Sequence, residues 1–113
     1  MLPEILSERL GADRIQLELH VPRGLAHFEG HFPGHPILPG VVQIDWAIRL
    51  ARSRFDCPGT FCAMENVRFQ SVVLPGVTLS LVLTLRDAGA RLAFAYSSGP
   101  RKCSSGTLVF RPS

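Results

Sequence analysis

Val77-Thr78-Leu79-Ser80-Leu81-Val82-Leu83-Thr84-Leu85-Arg86 sets Val77, Leu79, Leu81, Leu83 and Leu85 on one face and Thr78, Ser80, Thr84 and Arg86 on the other. A period of two marks a half-buried β-strand, because successive strand side chains point to opposite faces. Asp87-Ala88-Gly89 follows as a short hairpin turn, and Leu92, Phe94 and Tyr96 resume the alternation. Residues 97–101 turn again and residues 107–111 form a last strand. Sequential hairpins of this kind predict an antiparallel sheet.

Working back from that sheet, residues 60–74 mix alternation with Phe and Val until Pro75-Gly76 interrupts them. Residues 41–54 contain neither proline nor glycine, and Val41, Ile44, Ile48, Ala51 and Phe55 recur at helical spacing. A helix is predicted there with that stripe as its apolar face. Pro39 and Gly40 stand at its start, and Asp56, Pro58 and Gly59 end it. Residues 22–40 carry Pro22, Gly24, Gly30, Pro33, Gly34, Pro36, Pro39 and Gly40, which no regular element tolerates, so the segment is a long stiffened loop. Residues 14–21 alternate as a further strand. The order strand, loop, helix, strands predicts an α+β domain with one helix packed on an antiparallel sheet, occupying residues 1–113.

Hydrophobic residues make up 46% of the 113 residues, enough for one small core. Mean hydropathy is +0.20, which points to apolar surface in an interface and hence to an oligomer. No run of about 18 apolar residues occurs, so no membrane span is expected. The opening Met1-Leu2-Pro3-Glu4-Ile5-Leu6-Ser7-Glu8 is acidic where a signal peptide is basic. Cys57, Cys62 and Cys103 are an odd set without CxxC spacing and read as reduced thiols of a cytoplasmic protein. The net charge is +3, and eleven of the twelve basic residues are arginine, but they are scattered and not interleaved with aromatics. That pattern argues against nucleic-acid binding. His27, His31 and His35 recur every four residues, yet Gly30, Pro33 and Gly34 forbid the helix that would align them on a metal. No metal or cofactor is expected.

The chemistry concentrates in Gly30-His31-Phe32-Pro33-Gly34-His35-Pro36-Ile37-Leu38-Pro39-Gly40-Val41-Val42-Gln43-Ile44-Asp45. It sets a histidine in a rigid loop and a carboxylate just inside the following helix, with the amides of Gly40 and Val41 opening that helix between them. Such amides can hold a carbonyl oxygen on which negative charge develops, and a residue without a side chain lets the carbonyl approach. Histidine can accept a proton near neutral pH. Asp45 projects from a largely apolar helix, where burial would favour a protonated acid able to donate to a leaving oxygen. Base, oxyanion donor and acid are the parts needed to eliminate water from a 3-hydroxyacyl compound.

Gly30-His31-Phe32-Pro33-Gly34-x-Pro36-x-x-Pro39-Gly40 resembles the signature of the 3-hydroxyacyl-carrier-protein dehydratases of fatty-acid synthesis, the FabZ and FabA types. The resemblance extends to Val67-Arg68-Phe69 and Val73-Leu74-Pro75-Gly76, and covers roughly residues 14–111. Residues 38–47 are most similar to the ApeI-like dehydratases of aryl-polyene clusters. The resemblance implies a hotdog fold, in which a curved antiparallel sheet wraps a long helix. It implies His31 as base and Asp45, fourteen positions on, as acid, the two meeting across a dimer interface. It also implies substrates borne on the phosphopantetheine arm of an acyl carrier protein, and a homodimer, heterodimer or higher oligomer. One departure concerns Arg49, one helical turn beyond Asp45 and placed to pair with it. Two other readings stay open: a hotdog thioesterase, and a non-catalytic subunit of a heterodimeric dehydratase.

Overall fold

A computed structural model describes residues 2–23, 37–55 and 59–112. Six strands and one helix follow one another as β1 (Glu4–Leu10), β2 (Arg14–His20), α1 (Gly40–Arg54), β3 (Gly59–Phe69), β4 (Thr78–Arg86), β5 (Arg91–Ser98) and β6 (Arg101–Pro112). They make one antiparallel sheet in the order β1-β2-β4-β5-β6-β3. The register of β4 sets Leu81 opposite both Leu17 of β2 and Tyr96 of β5, so one row of inward residues crosses three strands. Ile15, Leu17 and Leu19, then Leu79, Leu81 and Leu83, then Leu92, Phe94 and Tyr96 are all buried, as period-two alternation requires. The 77–86 reading and the 87–89 turn hold. Asp87, Ala88 and Gly89 all take positive φ there, a conformation that glycine adopts without cost and the other two adopt only to close the hairpin.

Three expectations need correction. The strand expected over 60–74 ends at Phe69, and the next residues run irregularly. Gln70 and Ser71 both turn their amides onto the Cys103 carbonyl, at 2.8 and 3.1 Å, which diverts the chain from the ladder. The last strand starts at Arg101 rather than Thr107.

The third correction concerns the helix. Its buried side chains are Val42, Gln43, Trp46, Ala47, Leu50 and Ala51. Val41, the first member of the expected stripe, is 73% exposed, and Ile44 and Ile48 are only half-buried. Two apolar stripes run along this helix, offset by about one residue, and the sheet takes the one that contains the indole. Trp46 is fully buried, and no smaller side chain of the helix could fill that volume against β2, β4 and β5. The consequence for the site is direct. Val41, Asp45 and Arg49 form the stripe that faces away from this chain's own core.

Candidate active site

The start of α1 is built by Leu38-Pro39-Gly40. Pro39 is the N-cap, at φ −61° and ψ 148°, and its ring carries no atom that could cap an amide. The Pro39 carbonyl accepts from the amides of Val42 and Gln43, at 3.1 and 3.2 Å. Among the described residues, no carbonyl or side chain accepts from the two amides before these, at Gly40 and Val41. A helix leaves its first amides unpaired by construction, and here proline leaves them uncovered as well. Phe69 lies against Gly40, and a Cβ added at residue 40 would stand 2.5 Å from the ring's Cζ. Gly40, Leu38, Gln43, Phe69, Ile37 and Val72 line a mostly apolar cleft of about 290 Å³. A polarised carbonyl could sit at the amides with its apolar tail in that cleft.

Asp45 lies just over one turn further along the helix. It is not buried: its side chain is 52% exposed and both carboxylate oxygens accept from Nε of Arg49, at 2.9 and 3.1 Å. The expectation that this helix alone would bury the acid is therefore not met within one chain, because Asp45 is on the outward stripe. The pairing with Arg49 follows the four-residue spacing. His31, together with Gly30 and residues 32–36 of the motif, lies outside the described residues, as do His27 and Cys57. Of the four expected site residues the structure thus places Gly40, Val41 and Asp45 along the first turns of α1. Among the described residues no three His, Cys, Asp or Glu side chains converge as metal ligands would.

Beneath the helix start is a polar network that sequence reasoning did not single out. Gln43 is 3% exposed. Its Nε2 donates to the Leu38 carbonyl at 3.1 Å, and its Oε1 accepts from the Ser104 hydroxyl of β6 at 2.7 Å. The Tyr96 hydroxyl of β5 donates to the Gln43 carbonyl at 2.7 Å. Burial pushes the Tyr96 phenol well above its ordinary range, with the nearby Asp45 charge adding to the effect, so it remains a neutral donor. Among the described residues no buried side-chain nitrogen or oxygen lacks a partner. The signal for Gln43 was present as a polar residue on the Val42, Trp46, Ala47, Leu50 stripe, but it is readable only once that stripe is known to face the sheet.

Residues 7–107 match the ApeI-like family, whose type is the ApeI dehydratase. The chain belongs to the ApeI-like dehydratase family. Among curated relatives, the 3-hydroxyacyl-[acyl-carrier-protein] dehydratase FabZ of Oenococcus oeni is 32% identical over 112 residues, covering 89% of this chain and 81% of its own. Among solved structures, a chain of the dehydratase heterocomplex ApeI:P from Xenorhabdus doucetiae superposes with a TM-score of 0.90 at 31% identity, covering 98% of this chain and all of that one. A protein of Erwinia carotovora subsp. atroseptica superposes with a TM-score of 0.87 at 36% identity, over 99% and 98% of the two chains. The ApeI-like chain is thus a hotdog-fold, FabZ-like dehydratase, and the fold expected from the sequence is the fold it has. Its antiparallel sheet packed on one helix is that architecture.

Proposed function

We propose that this ApeI-like chain, a single domain over residues 1–113, converts 3-hydroxyacyl thioesters on acyl carrier protein to trans-2-enoyl thioesters, in fatty-acid or polyene-type biosynthesis in the cytoplasm. His31 removes a proton from C2, the C3–O bond breaks, and Asp45 protonates the departing hydroxyl, which leaves as water while the C2–C3 double bond forms. One proton is taken and one given, so the reaction needs no cofactor. The amides of Gly40 and Val41 hold the thioester oxygen as charge builds on it. The observation that carries this reading is the uncapped start of α1, opening on an apolar cleft with Asp45 just over one turn away.

The same reading calls for a second chain. Val41 and Asp45 face outward, and β3 is the last strand of the sheet, with Met64 and Phe69 exposed on it. An open strand edge with exposed apolar residues is unstable against pairing. A second copy there would cover this surface and bring its own His31 to Asp45. A second reading makes this chain the non-catalytic subunit of a heterodimeric dehydratase, and it is favoured by the Arg49 Nε–H shared between both Asp45 oxygens, since a carboxylate held by a guanidinium is kept ionised and is a poor acid. The test is intact mass spectrometry of a short 3-hydroxyacyl carrier protein after incubation with wild type, His31→Ala and Asp45→Asn. Loss of one water with wild type alone supports the proposal. Free acid would indicate a thioesterase, and no change a subunit that needs a different partner.

A further inference from the structure

The oxyanion amides sit at the end of a fifteen-residue helix, yet the segment leading into it has little to hold it. Pro39 has no amide and no capping side chain, and Gly40 has no side chain at all. Leu38 is fixed through its amide, which donates to the Val73 carbonyl at 2.7 Å. Its carbonyl would be left buried and unpaired if Gln43 did not reach back one turn to it. This reverses the ordinary way of closing a helix. A usual N-cap side chain accepts from the first amides and so occupies them. Gln43 instead donates to the carbonyl preceding the cap and leaves the Gly40 and Val41 amides uncovered. The amide group cannot turn over, because the Leu38 carbonyl only accepts and so requires Nε2, which leaves Oε1 to take the proton of the Ser104 hydroxyl. Tyr96 secures the same residue from its backbone side.

We propose that Gln43, held by Ser104 at its side-chain oxygen and by Tyr96 at its backbone, is the positioning residue of this site, fixing the Leu38 carbonyl so that the Gly40 and Val41 amides stand where the thioester oxygen arrives. It does not touch the reacting atoms. It acts by fixing the segment that carries them, and a displacement of about 1 Å in such a group can cost on the order of a hundredfold in rate. The inference rests on the dehydratase reading for its kinetic consequence but not for its structural one.

The test compares wild type with Gln43→Met, which keeps length and removes both hydrogen bonds, and Gln43→Glu, which can donate to Leu38 only while protonated. In the substrate-free protein, hydrogen exchange of the Leu38 amide should quicken about tenfold or more in Gln43→Met, with the amides of β4 and β5 unchanged. In the dehydration assay Gln43→Met should lose about tenfold or more in kcat with KM within about threefold of wild type. Gln43→Glu should match wild type near pH 5 and fall to the level of Gln43→Met by about pH 8, because a buried carboxyl titrates in that range and the anion cannot donate. Wild-type kcat in Gln43→Met, or a Gln43→Glu that follows Gln43→Met at every pH, overturns the proposal. If Gln43→Met does not fold, Gln43→Glu decides alone by the same pH contrast. A wild type that dehydrates nothing defeats the function reading instead, and the exchange measurement still judges Gln43.

Discussion

At Gly40 the missing side chain is not needed for backbone freedom, for the residue is helical and takes no positive φ, and in the proposed site its absence would serve the approach of a substrate. Gly40→Ala should gain up to about 1 kcal/mol of helix propensity and lose about as much by pushing aside the exposed tip of Phe69. Its melting temperature should therefore stay close to wild type while kcat/KM falls about tenfold or more, since the methyl stands at the amide. A variant equally stable and equally active would remove Gly40 from the site. Tyr96 offers a second measurement, because it is the only tyrosine in the chain. Its folded phenol holds its proton to higher pH than the unfolded one, so above about pH 10 the unfolded state binds fewer protons and stability falls with rising pH. The slope should reach about 1.4 kcal/mol per pH unit there, and below pH 10 the contribution is complete. Urea melts between pH 9 and 11, with phenolate absorbance as the probe, should show ionisation only on unfolding. Tyr96→Phe should remove the alkaline limb.

Among the elements, α1 separates two apolar stripes that its sequence leaves nearly equivalent. Leu50→Ala, on the stripe facing the sheet, should cost about 2–5 kcal/mol, whereas Ile48→Ala, half-buried beside it, should cost well under that in the isolated chain. Equal losses under denaturant would mean that the helix is rolled relative to the sheet. Arg49→Gln removes an exposed pair worth about 0.3–0.5 kcal/mol, so stability should barely move. Its activity should equal or exceed wild type, because the change frees both Asp45 oxygens. A tenfold loss would instead place Arg49 in the chemistry.

For the whole molecule, the shared-site arrangement makes a prediction that no single chain can satisfy. His31→Ala and Asp45→Asn should each be nearly inactive alone. Mixed and allowed to exchange subunits, they should recover about a quarter of the wild-type sites, since half the dimers are mixed and each mixed dimer has one intact pair. No recovery despite exchange, confirmed by native mass spectrometry, would mean that His31 and Asp45 act within one chain. The outward stripe of Val41, Asp45 and Arg49 and the open edge of β3 belong to this scale, because in the proposed assembly a partner would give them their environment.

The sequence by itself determined most of the strands, the helix and the family, and it supplied the candidate chemistry. Alternation over 77–86 and 92–96, the proline and glycine run over 22–40, the uninterrupted helix after Gly40 and the Asp45–Arg49 pair are all local patterns, written in residues a few positions apart. Tertiary structure decided what depends on distant surfaces. β1 was not legible, because its side chains are mostly exposed and it exists by pairing with β2. The buried face of α1 shares Ala51 and Phe55 with the expected stripe but departs from it at Val41, Ile44 and Ile48, because the choice between two apolar stripes is made by the shape of the sheet, which accepts Trp46 and gives Gln43 its partners. Ser104 is 61 residues from Gln43 and Tyr96 is 53, so no periodicity could have joined them. A buried amide survives on that stripe only because the fold supplies a partner for each end, the Ser104 hydroxyl for Oε1 and the Leu38 carbonyl for Nε2.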